Sequence, residues 1–133
     1  MLESKGFKIM GRNEDPYEFL ILVAHKDWLA TDSEAAVRYL RAMGKAIDWI
    51  YEPSNKEKVI QVLMEETKVT QEEAEKTYQL YVEDLKIFPR QAKMSREGFE
   101  NAINVEKELG NIPADIPVET FYDESVWQKA FGQ

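Results

Sequence analysis

The stretch PYEFLILVAHKDWLA, Pro16 to Ala30, holds six consecutive apolar residues from Phe19 to Ala24 and then turns into a charged, helix-like pattern. A strand shows alternate side chains to opposite sides. A run without alternation therefore reads as a strand that needs cover on both faces and a partner along its edges. How the rest of the chain meets that demand decides the fold.

Upstream, FKIMG (Phe7 to Gly11) reads as a short strand, and the polar turn RNEDP leads into the long apolar strand from Glu18 to Ala24. Downstream the period changes. Thr31 and Glu34 in TDSE form a capping-box signature, and Ala36, Val37, Leu40, Met43, Ala46, Ile47 and Ile50 recur at three- and four-residue spacings until Pro53 forbids continuation. Ser54 with Glu57 repeats the signature ahead of a face made by Val59, Ile60, Leu63 and Met64. Thr70 with Glu73 does so again, opening a helix expected to bury Ala74, Thr77, Tyr78, Tyr81 and Leu85. A fourth helix is expected from about Ser95 to Leu109, stopped by Gly110, and a last short one from Glu124 to Phe131. The fold class is thus mostly α with a small β element. One domain spans residues 1–133, with a strand or hinge segment over 1–24 and a helical segment over 25–133.

Composition narrows the function classes. Apolar residues make up 44% of the 133 and charged ones 32%, enough to build a core. Seventeen Lys and Arg against twenty-five Asp and Glu give a net charge of −8 with no basic stripe, which argues against nucleic acid as a partner. No apolar run approaches the ~18 residues that span a bilayer, and no signal sequence precedes the domain, so an export signal would lie outside this chain. With no cysteine, disulfides, thiolate metal sites and nucleophilic thiol chemistry are excluded.

Candidate chemistry is sparse. His25 is the only histidine, and the carboxylates of MEETK and TQEEAEK fall where helices show polar faces. No glycine-rich phosphate loop occurs. These observations predict no catalysis, no metal and no cofactor. The best ligand candidates are Asn13, Asp15 and Tyr17 of NEDPY, which stand in a turn beside the end of the apolar strand, where polar groups converge on ligands in sheet proteins.

The order of elements carries a resemblance. The segment PYEFLILVAHKDWLATDSEAAVRYLRAMGKAIDWIYEPSNKEKVIQVLMEET resembles the part of the nitrate, sulfonate, taurine and thiamine-precursor solute-binding proteins where the chain crosses the hinge as a strand and enters a long helix. MSREGFENAINVEKELGNI followed by PVETFYD resembles the closing part of the same family. The resemblance implies the C-terminal part of a two-lobed α/β periplasmic-binding-protein (type II) fold, since the family's first-lobe strands and much of its second lobe are missing here. It also implies a non-catalytic component of an ABC-type importer for a small nitrogen- or sulfur-containing solute, a membrane permease as partner, and a periplasmic or otherwise extracytoplasmic setting, a membrane-anchored lipoprotein included. Asp15 and Tyr17 would contact the solute at the hinge turn, with Asn13 as a third. Two rivals are a pyrimidine-precursor biosynthesis protein of the same fold and a stand-alone helical interaction module.

In the complete family fold FLILVA would lie within a mixed sheet covered on both sides. Here that cover is not encoded, and an open apolar edge recruits another chain. The expectation is a homodimer through the N-terminal strand. One wall of a cleft buries little of a ligand, so weak solute binding by this chain alone is expected.

Overall fold

A computed structural model describes residues 6–8, 10, 11 and 15–132, of which 66% are helical and none lies in a strand. Helix α1 (Lys26–Tyr51) is broken once, at Asp32, whose backbone (φ −142°, ψ 57°) is not helical. The Thr31 hydroxyl donates back to the Asp27 and Trp28 carbonyls at 3.1 and 3.0 Å. It is therefore not the expected cap. Asp32 takes that role one residue later, its Oδ1 accepting from the Ala35 N–H at 3.1 Å.

The second expected box fails outright. Ser54 sits inside a one-turn 3₁₀ segment, Pro53–Asn55, and its hydroxyl donates to Glu52 Oε1. Helix α2 (Lys56–Thr67) then starts without a side-chain cap. The third forms in full. At the head of α3 (Gln71–Tyr78), Thr70 Oγ1 accepts from the Glu73 N–H while the Glu73 carboxylate accepts from the Thr70 N–H.

Beyond Tyr78 the helix widens into a π segment, Gln79–Asp84, closed by Leu85 N–H to Leu80 O at 2.9 Å. Bonding over five residues advances the inner face to a four-residue step, so Ala74, Tyr78 and Val82 point inward. Tyr81 is left 42% exposed and Leu85 50% exposed, against the expectation that both are buried, while Val82 is only 6% exposed.

Two compact units emerge. One contains Ala46–Arg90. Its core is Val59, Tyr78 and Val82, surrounded by Ile50, Tyr51, Ile60, Leu63 and Phe88. The other contains Asp15–Lys45 and Gln91–Gln133. There Ala36, Val37, Phe99 and Ile103 are buried. Helix α4 (Arg96–Glu108) is capped by Ser95 Oγ, which accepts from the Gly98 N–H, and ends ahead of Gly110 in the left-handed region (φ +75°). Helix α5 (Ser125–Phe131) is held from outside its own sequence: the Arg41 guanidinium donates to the Ala130 and Lys129 carbonyls at its C-terminal end. Gly44 has no side chain because the Phe131 ring occupies that space, 2.9 Å from where a Cβ would lie.

The strand expected at Glu18–Ala24 is not present, and neither are the described residues of the one expected at Phe7–Gly11 in a strand. Strand structure is a property of pairs, and among the described residues no second extended segment lies alongside. The segment runs without regular structure from an anchor on α4 at Glu18 into α1. Phe19, Leu20 and Val23 are 86%, 84% and 84% exposed, and Ile21 and Leu22 are about half exposed. The mostly-α part of the expected fold class holds; the small β element does not.

Candidate functional site

The Ala46–Arg90 unit contains a cleft of about 500 Å³, within the ~300–1,000 Å³ typical of small-molecule sites. Three pieces of chain build it. The end of α1 with the following turn supplies Tyr51, Pro53 and Lys56. The α3–π stretch supplies Tyr78, Val82 and Glu83, and the connection after it supplies Lys86, Phe88, Pro89 and Arg90. Prolines 53 and 89 turn the chain out of its helices, which brings the aromatic and cationic residues beside them to one place.

The walls are mostly rings and the rim is mostly cationic. The Arg90 guanidinium stacks 4.5 Å from the Tyr51 ring centre and pairs with Asp48 at 2.6 Å. Lys56 Nζ lies 5.1 Å from the Tyr78 ring centre and 2.8 Å from Glu83 Oε1. The hydrogen bond that the Lys56 ammonium donates to Glu83 outweighs desolvation and raises the Lys56 pKa, which keeps the ammonium charged. Lys86 stands in the left-handed region (φ +49°) and forms no ion pair among the described residues. Tyr51 Oη accepts from the Phe88 N–H at 2.9 Å, and the two rings meet edge to face at 6.4 Å. That bond fixes the rear wall and leaves the phenol proton available to a ligand.

Three cations and one carboxylate line a cleft in a chain whose net charge is −8. The arrangement can hold an anion at the rim and stack a planar group on the rings. Its lining includes no serine, cysteine or histidine. A second hollow of about 260 Å³ in the same unit, between Trp49, Val62, Leu63 and Tyr81, is almost wholly apolar and lacks groups to orient a ligand. Among the described residues no cluster of His, Cys, Asp and Glu could hold a metal ion, and no helix is long and apolar enough to cross a membrane.

In the other unit, Arg96 bonds to Glu100 and Glu119 and lies 4.6 Å from the Tyr122 ring centre. Tyr122 packs on Phe99 and donates to Glu124 Oε1. Burial, and then the bond to Glu124, push its pKa up to about 12. These groups satisfy one another and tie the C-terminal loop to α4.

Of the residues expected from sequence, Asp15 and Tyr17 are exposed and lie in the segment that runs over α4, while Asn13 lies outside the described residues. Neither Asp15 nor Tyr17 lines the cleft. His25 is exposed and reaches Asp27 only at 3.8 Å. Sequence reasoning missed Tyr51, Lys56, Lys86 and Arg90. The available signal was compositional: YEPSNK and KIFPR are two proline turns that each carry an aromatic ring and a cation. No family model, curated protein or solved structure matches this chain.

Proposed function

We propose that the chain is a non-catalytic, solute-binding domain of an importer, and that it holds a small anionic solute in the cleft of the Ala46–Arg90 unit. The observation that carries the reading is the reversal of charge there: Lys56, Lys86 and Arg90 gather on aromatic walls in an acidic protein. An anion gains the field of those cations and loses little by leaving water at a rim already lined with donors. The resemblance of the hinge and closing segments to nitrate- and sulfonate-type binding proteins supports the same class of ligand, and with it a permease partner and an extracytoplasmic setting. The proposed site includes neither Asp15 nor Tyr17.

An amide NMR titration with a small aryl sulfonate and its uncharged sulfone tests this. Saturable shifts with a Kd of roughly 1 mM are expected at residues 51, 56, 88 and 90, weakening with salt and lost in Arg90→Gln. Absence of saturation, or an equal response to the sulfone, would overturn the reading.

A further inference from the structure

Residues 19 to 24 make no hydrogen bond among the described residues, through backbone or side chain. The segment has no regular structure and is bare: Phe19, Leu20, Ile21, Leu22 and Val23 are all 46% or more exposed. The segment is nevertheless pinned at both ends. At one, Glu18 N–H donates to Gly98 O and Ser95 N–H to the Glu18 carboxylate; at the other, the chain enters α1 at Lys26.

We propose that a second copy of this chain covers the segment, the two pairing as antiparallel strands about a two-fold axis at Leu22. Pinned, non-helical backbone whose N–H and C=O groups have no partner among the described residues can accept strand addition. The apolar run is self-complementary, because the two-fold sets Leu20 against the partner's Ala24 and Ile21 against the partner's Val23. Charge selects the direction: a parallel, in-register pair stacks Glu18 on Glu18, whereas the antiparallel register brings Glu18 toward the partner's Lys26, the first residue of α1, twice. Pairing satisfies the backbone groups of both copies and shields each large side chain in part against its cross-strand neighbour. This inference does not depend on solute binding in the cleft.

Sedimentation equilibrium of the full chain at micromolar concentration is expected to give twice the 15.5 kDa chain mass, and a single species at 15.5 kDa would overturn the proposal. The absence of cysteine lets one introduced thiol report the register. Oxidised Leu22→Cys is expected to form a covalent dimer. Leu20→Cys, whose two thiols stand ~13 Å apart in this register, is expected to form none. Equal cross-linking of both variants, or of neither, would overturn the arrangement, and Leu20→Lys is expected to shift the dimer toward monomer.

Discussion

The Glu18 carboxylate accepts a hydrogen bond from the Ser95 backbone N–H, across 77 residues of chain. In a capping box that N–H is satisfied by a Glu or Gln three residues into the helix. Here the third residue is Gly98, whose Cβ would meet the Glu18 backbone N at 3.1 Å and the Tyr17 carbonyl carbon at 3.3 Å. The helix gives up its own Glu so that the incoming segment can pass close, and that segment brings the carboxylate with it. Asn101 Nδ2 donates to the Pro16 carbonyl and secures the crossing.

Glu18→Ala is therefore expected to lower stability by ~0.5–2 kcal/mol, the range of a lost helix cap, although Glu18 belongs to no helix. Urea unfolding checks this. A loss below ~0.3 kcal/mol would show that water replaces the carboxylate without cost.

The three capping signatures are expected to separate in the same assay. Thr70→Ala should cost ~1 kcal/mol and Asp32→Ala a similar amount, because both side chains accept from helical N–H groups. Ser54→Ala should stay within ~0.5 kcal/mol, since its hydroxyl meets only an exposed Glu52.

The π segment predicts a reversal of what a regular helix would give. Val82→Ala is expected to cost ~1–3 kcal/mol through cavity formation, and Tyr81→Ala less than about 1 kcal/mol. Equal costs, or the opposite order in thermal or urea unfolding, would mean that residues 79 to 84 keep α-helical register in solution.

Tyr122 sets an alkaline limit. Its pKa is about 12 in the folded protein against 10.0 ordinarily, so folding favours the protonated phenol. That contribution is fully present below pH 10 and is lost as pH rises toward 12, because the unfolded chain releases its proton first. Tyr122→Phe is expected to flatten this part of the stability profile. It should also remove the last tyrosinate transition seen by absorbance; a profile identical to the parent's would refute the assignment.

Much of the helical layout was legible because its causes are local. The Thr70–Glu73 box and Gly110 act within a few residues of themselves and stand where sequence reasoning put them, while Ser95, expected as about the first residue of the fourth helix, is its cap. The kink at Asp32 and the idle Ser54 were less visible, since neighbouring polar side chains compete for the same turn and differ by little in energy. The strand reading of Glu18–Ala24 failed, because strand structure depends on a second segment to pair with, and none is present among the described residues. The inward choice of Val82 over Tyr81 rests on a π turn that has no local signature in QLYVED. The cleft was the least legible part. Tyr51, Tyr78 and Arg90 come from three pieces of chain, and each carries an ordinary surface or core pattern until packing of the Ala46–Arg90 unit brings them together. Sequence by itself determined the start of α3 and the stop of α4 at Gly110, because capping is short-range. Only tertiary structure decided which apolar residues find cover and which charges meet, because those depend on contacts between residues far apart in the chain.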